Sequence, residues 1–213
     1  MHLVPLIAEE YAIQHTTALP LLLQQIINHT TVNHPKHHML SGVVQGQLLQ
    51  ILSRLIQPKY VLEVGTYTGF SALCMCTGLQ PKGTLHTIEL RQTEAVTAQQ
   101  FFNKSIYESN IKLHIGEALS IIPSLHHTWD MVYIDADKVN YSNYYDLILP
   151  QLCTNGLMIV DNVLFHGEVL SENVSGKNAI AINAFNKKIN TDTSVNNVLL
   201  TIRDGLMLIQ KTK

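Results

Sequence analysis

A mostly parallel, doubly wound α/β sheet of seven strands, ending in an antiparallel hairpin and preceded by a helical extension, is the fold class this sequence predicts. Three observations predict it. From residue 60 to 160, short apolar β-prone runs alternate with stretches of helical periodicity. Two of the runs end in acid: Asp130-Met-Val-Tyr-Ile134 is closed by Asp135, and Gly156-Leu-Met-Ile-Val160 by Asp161-Asn162. Near the C-terminus, residues 198–202 and 206–210 flank Asp204-Gly205, a hairpin signal that adds an antiparallel strand at the sheet edge.

Each element has a local reason. Thr16 or Thr17 caps a helix through Leu21, Leu22, Leu23, Ile26 and Ile27, with Pro20 in its first turn. Residues 30–38 are polar and contain Pro35, so they read as a loop. Ser41 caps the next helix, whose Val44, Leu48, Leu49, Leu52, Leu55 and Ile56 recur at helical spacing until Pro58 ends it. Tyr60-Val-Leu-Glu-Val64 is a strand, 65–69 a tight turn and 70–79 a helix. A strand at 84–88, a helix at 93–107, the strand Ile111-Lys-Leu-His-Ile115 and a short helix at 118–125 follow. The strands at 130–134 and 156–160 are separated by a helix at 144–152, and the polar stretch 163–178 is a loop. Without linker or repeat, residues 1–213 read as one domain: 1–58 an extension, 59–213 the core.

Composition narrows the class. A chain of 213 residues, 46% hydrophobic and 14% charged, can bury a full core and is neither a disordered tail nor a repeat array. Its net charge is −2 and its 14 Lys and Arg are scattered, which gives little support for nucleic-acid or anionic-membrane binding. No apolar stretch reaches the length of a membrane span and the first residues lack a signal-type pattern, so the expected location is cytoplasmic. Cys74, Cys76 and Cys153 read as buried free thiols rather than a disulfide or zinc site. His34, His37 and His38, like His126 and His127, fall in turn-like stretches and read as solvated surface.

Parallel strands release their chains at one sheet edge, where the ligand crevice of an open α/β sheet lies. Asp135, Asp161 and Asn162 would thus offer oxygen donors side by side, suited to Mg²⁺, Mn²⁺ or Ca²⁺ rather than zinc. Helix capping is the alternative role for such residues. After the first strand, Glu63-Val-Gly65-Thr-Tyr-Thr-Gly69-Phe-Ser71 makes a turn whose exposed N–H groups favour an anion. No G-x-G-x-x-G or Gly-Lys-Ser/Thr is present there, so a carboxylate fits better than a diphosphate. Glu89 ends the second strand, where an acid accepts hydrogen bonds from ribose hydroxyls. Together they indicate a nucleoside-bearing ligand, and Glu63 favours one with a cationic amino-acid part.

With these residues in view, the chain resembles the class I S-adenosylmethionine-dependent O-methyltransferases, in the cation-dependent branch that includes catechol and caffeoyl-CoA O-methyltransferases. The matching segments are Tyr11-Ala-Ile-Gln-His-Thr16, Met39-Leu-Ser-Gly42 with Gln45-Gly-Gln47, Leu62-Glu-Val-Gly-Thr-Tyr-Thr-Gly69 and His86-Thr-Ile-Glu89. Tyr133-Ile-Asp-Ala-Asp-Lys138 with Asn140-Tyr141, Asp161-Asn-Val-Leu164 and Arg203-Asp-Gly-Leu206 extend the likeness almost end to end. The resemblance implies that Glu63 and Gly65 line the methionine part of the cofactor, Ser71 its carboxylate, Glu89 the ribose and Ala118 the adenine. It implies cofactor contacts for Ser41 and Asp137 and places Met39 near the transferred methyl. Asp135, Asp161 and Asn162 match the metal ligands, Lys138 the general base, and a homodimer is the common assembly.

The chemistry implied is in-line displacement of a methyl from sulfonium to oxygen. A phenol is a poor nucleophile near neutral pH, its pKa being about 10. A divalent cation stabilises the phenolate and chelates two adjacent oxygens, while Lys138 would need a lowered pKa to take the proton. The expected acceptor is a small vicinal dihydroxy aromatic. One departure bears on it: where the family often has Trp-x-Gly-Lys, this chain has Phe165-His-Gly-Glu168. Phe165 still offers an aromatic wall, but Glu168 near the acceptor mouth disfavours a polyanionic CoA thioester. Selectivity is expected in the 163–178 loop. Some similar small bacterial proteins methylate a hydroxylated uridine in transfer RNA, which the mild acidity here disfavours. Intact Asp135, Lys138, Asp161 and Asn162 argue against a non-catalytic cofactor-binding protein.

Overall fold

The computed structural model describes residues 3–213; the side chain of His38 lies outside the described residues. Five parallel strands, β1 (Tyr60–Val64), β2 (Thr84–Glu89), β3 (Ile111–Ile115), β4 (Trp129–Ile134) and β5 (Leu152–Asp161), carry the sheet. A hairpin of β6 (Val195–Leu200) and β7 (Leu206–Lys211) completes it, with β7 antiparallel between β5 and β6. The order is β3-β2-β1-β4-β5-β7-β6. All seven expected strands are present. The chain builds outward from β1 to β3 and then returns to place β4 beside β1, so a crevice opens at the carboxyl ends of β1 and β4.

Alternation along the strands sorts the core into two layers. Val61, Met131, Tyr133 and Ile159 face one side, where α2 (Leu21–Asn33), α3 (Gly42–Ile56), α4 (Phe70–Cys76) and α5 (Gln92–Phe102) contribute Leu23, Leu49, Phe70 and Phe102. Leu62, Val64, Val132, Ile134, Met158 and Val160 face the other, beneath α6 (Ala118–Ile121), α7 (Tyr141–Ile148) and α8 (Lys177–Thr191). Phe185 of α8 meets the Tyr141 ring edge-on at 5.7 Å, fully buried. Truncating an aromatic so placed costs about 3–5 kcal/mol.

Several expectations are corrected. The first described helix, α1 (Leu6–Gln14), buries none of its residues, so it left no apolar stripe to read. Pro20 stands at the N-cap of α2 rather than in its first turn, and α2 runs through Thr30 to Asn33, where a loop was expected. Tertiary contact overrides the polarity there: Thr30 is buried and its hydroxyl donates to Thr68 Oγ1 at 3.0 Å. Ser41 precedes α3 but makes no capping bond. Helices α4 and α5 end earlier than expected, and α7 begins earlier, at Tyr141. Residues 165–170 are helical turns interrupted by a kink at His166 and Gly167, and α8 was not anticipated. Its buried Ala179, Ile182, Phe185 and Ile189 are spaced as a helical stripe within a polar sequence.

Cys74 and Cys76 are buried free thiols as expected, whereas Cys153 is only half-buried, its thiol 3.7 Å from Asp130 Oδ1. His126 and His37 are exposed, but His127 stacks on Tyr60 at 4.5 Å and His34 meets the Tyr67 ring at 5.4 Å. Those two histidines are packed rather than solvated. Among the described residues no helix is long and apolar enough to cross a membrane.

Candidate active site

A cavity of about 590 Å³ lies at the carboxyl edge of the parallel strands. Met39, Ser41, Gly65, Ser71, Glu89, Ala118, Asp135, Asp137, Lys138 and Asn162, each singled out in the sequence, all line it. Glu63 and Asp161 do not; they stand behind its wall.

The β1 turn forms one side. Gly65 adopts φ +100°, and a Cβ there would lie 2.1 Å from the Asp135 carbonyl oxygen. Its N–H donates to the Ile88 carbonyl at 3.0 Å, while the Asp135 N–H donates to the Val64 carbonyl at 2.9 Å. The ends of β1, β2 and β4 are therefore pinned too closely for any side chain at position 65. Glu63 is fully buried, and burial pushes its carboxyl up to about 8 against the Ser71 and Thr87 bonds. Ser71 Oγ donates to its Oε1 and Thr87 Oγ1 to its Oε2, both at 2.5 Å. Glu63 thus orients Ser71, which reaches the cavity in its place. Glu89 faces the cavity, its Oε2 accepting the Tyr67 N–H at 2.8 Å and its Oε1 the Arg91 N–H at 3.0 Å.

The ends of β4 and β5 form the other side. Lys138 Nζ donates to Asp135 Oδ1 at 2.8 Å, Asn162 Oδ1 at 2.7 Å and Tyr141 Oη at 2.7 Å. Burial alone would lower the Lys138 pKa, but Asp135 and Tyr141 override it and hold the ammonium protonated above its ordinary range. Asp161 lies deeper: Gln45 Nε2 at 2.6 Å and the Tyr133 hydroxyl at 2.7 Å both donate to Oδ2. The Asn162 N–H donates to Asp161 Oδ1 at 2.7 Å. Burial, and then the Asp135 charge, push the Asp161 carboxyl up. Asp137 is exposed at the rim and accepts from the Tyr144 hydroxyl and, at 2.5 Å, from Asn140 Nδ2.

Three functional neighbours were missed in the sequence: Gln45, Tyr133 and Tyr141. Each is a buried polar group inside a quoted motif, and that placement was the available signal. Phe165 lines the cavity as expected. Glu168 does not: its carboxylate lies beside Gly176, and His166 and Asp204 hold the rim instead. Among the described residues no three His, Cys, Asp or Glu side chains are grouped to hold a metal. The donors that converge are oxygens, and they already share one cation, the Lys138 ammonium.

A doubly wound sheet with a glycine turn after β1, an acid ending β2 and acids ending β4 and β5 defines the class: an S-adenosylmethionine-dependent methyltransferase. The O-methyltransferase family model matches residues 13–212, and the chain belongs to that family. It is 32% identical over 207 residues to a probable caffeoyl-CoA O-methyltransferase of Dictyostelium discoideum, covering 94% of this chain and 90% of that one. It is 33% identical over 160 residues to a catechol O-methyltransferase of Niastella koreensis, covering 73% and 72% respectively. A Streptomyces achromogenes O-methyltransferase of tomaymycin synthesis, solved in complex with S-adenosylmethionine, superposes with a TM-score of 0.83 at 26% identity over 92% of each chain.

Proposed function

We propose that this enzyme moves the methyl of S-adenosylmethionine to one hydroxyl of a small catechol-type acceptor, with help from a divalent cation, Mg²⁺ above Mn²⁺ or Ca²⁺. The observation that carries the proposal is the convergence of Asp135 and Asn162 oxygens on one cationic atom at the cavity wall, across from the β1 turn. Hard oxygens that hold an ammonium at 2.7–2.8 Å also fit a hard divalent cation. Asp161 is the third donor in this reading, its carboxylate aimed by Gln45 and Tyr133.

Placement around the cavity supports the following cofactor roles. Glu89 takes the ribose hydroxyls, Ser71 the methionine carboxylate, and Ala118 lies against adenine. The Gly65 backbone approaches the methionine part, with Glu63 acting through Ser71. Ser41 and Asp137 contact the cofactor, and Met39 flanks the methyl. Bound, the cation would lower the cost of phenolate and orient two adjacent oxygens. Asp135 and Asn162 set where the acceptor oxygen sits, and Phe165 walls its ring. Lys138 would take the acceptor's proton only after giving up its own, because the ammonium held by Asp135 and Tyr141 has no lone pair to accept one. Positioning of this kind contributes roughly 7–11 kcal/mol in well-oriented systems. The whole chain acts as one methyltransferase unit, with residues 1–58 covering cofactor and acceptor. A homodimer belongs to the same reading, supported by exposed Leu6, Ile7 and Tyr11 on α1.

The test compares catechols with matched monophenols at equal concentration, with and without chelator, reading product by mass spectrometry. Catechols should turn over much faster, chelation should abolish the reaction, and Mg²⁺ should restore it. Equal rates for both acceptors would defeat the chelate. Methylation of hydroxyuridine-containing RNA with no catechol turnover would replace the acceptor.

A further inference from the structure

We propose that Lys138 and the divalent cation compete for the same oxygens, so that the cation enters by driving the Lys138 ammonium out of the Asp135–Asn162 pair and into the cavity. This rests on the metal reading above.

The geometry is specific. An ammonium has three N–H donors, and those of Lys138 are all used, on Asp135 Oδ1, Asn162 Oδ1 and Tyr141 Oη. Two of these acceptors are the oxygens proposed for the metal. A divalent cation held by the same two oxygens would be a second positive charge beside Nζ, and like charges repel strongly in a partly dry site. One must leave. Asp161 cannot turn to offer the cation another site, because it is fixed by Gln45, Tyr133 and the Asn162 N–H. Asn162 is itself held in a left-handed backbone conformation, φ 59°.

Lys138, by contrast, can move. It sits on the short 3-10 turn Lys138–Asn140 ahead of α7 and lines the cavity. Its flexible four-carbon stem lets the amine swing while the backbone stays. Displaced, the amine loses Asp135 and Asn162 and gains the acceptor side of the cavity. The lysine would then be delivered to the acceptor by the same event that loads the cation. In this account Lys138 weakens cation binding in the absence of an acceptor, the opposite of a bystander residue.

Two measurements test it. On the wild-type enzyme, acetylation of Lys138 by acetic anhydride is read by peptide mass spectrometry with and without saturating Mn²⁺, using exposed Lys82 as internal reference. Labelling of Lys138 relative to Lys82 should rise several-fold with Mn²⁺. Separately, Mn²⁺ affinity is read by electron paramagnetic resonance for wild type and Lys138→Met. The variant should bind on the order of tenfold tighter. Tight binding by Lys138→Met alone supports the competition. Mn²⁺ bound to the wild type with unchanged Lys138 labelling overturns it and leaves the metal site standing. Binding by neither protein overturns both. The labelling arm does not depend on whether the variant folds.

Discussion

In the proposed cofactor site Glu89 would use one carboxylate twice. It faces the cavity where a ribose would lie, and its oxygens also accept the Tyr67 and Arg91 N–H groups that shape the surrounding loops. The two uses predict different losses for different substitutions. Glu89→Ala should weaken S-adenosylmethionine by on the order of 1–3 kcal/mol, because ribose acceptors and turn support go together. Glu89→Gln keeps one carbonyl acceptor and should lose less. Calorimetry on folded protein decides; unchanged affinity in Glu89→Ala would remove the ribose assignment. Glu63, one strand over, shows how misleading identity alone can be, since its buried carboxyl serves Ser71 and never meets the cavity.

At the scale of elements, β2 and β3 are joined by an unusual rung. His86 Nδ1 lies 3.1 Å from His114 Nε2, with the rings stacked at 5.3 Å, and His127 and Trp129 close over His86 at 4.7 and 5.6 Å. Burial first, and then the positive neighbours His127, His114 and Lys112, bring the His86 pKa down from 6.5 to about 4. The sign follows from linkage. The unfolded chain takes a proton on His86 near pH 6.5, while the folded chain refuses it until about pH 4. Stability from this residue is therefore present above pH 6.5 and lost as pH falls toward 4. His86→Gln should flatten the acid side of the stability curve, read as urea midpoints across that range. An acid limb of the same steepness in the variant would show that His86 does not set it.

For the whole molecule, the C-terminal hairpin is a latch as well as a sheet edge. Asp204, in the turn before β7, accepts the His166 N–H at 2.5 Å through Oδ1 and reaches Asn162 Nδ2 at 3.4 Å through Oδ2. Its carbonyl takes the Leu164 N–H at 2.9 Å, and the Gly205 carbonyl takes that of Val163 at 3.2 Å. The segment carrying Phe165 is thus tied to a hairpin some forty residues later in the chain. Asp204→Ala should lower stability by roughly 1–3 kcal/mol and raise the acceptor KM several-fold. Cofactor affinity should stay unchanged, since Glu89 and the β1 turn lie elsewhere. A variant with wild-type KM would show that the latch does not position the acceptor wall.

The sequence by itself determined the strands, because a buried strand of a parallel sheet is written as a short apolar, β-prone run of neighbouring residues: the expected bounds 60–64 and 111–115 are those of β1 and β3. It also placed Gly65, Glu89, Asp135 and Asn162 at one sheet edge, since parallel strands must release their chains there. Helix extents were less legible. Thr30 is held in α2 by Thr68, and the apolar stripe of α8 is sparse within a polar segment. Only the tertiary structure decided which acids meet the cavity. Asp161 is held behind the cavity wall by Gln45, 116 residues distant in sequence, and Lys138 is held at the wall by Asn162 and Tyr141. Backbone pattern is local; the direction of a polar side chain is set by whichever partner the fold brings to it.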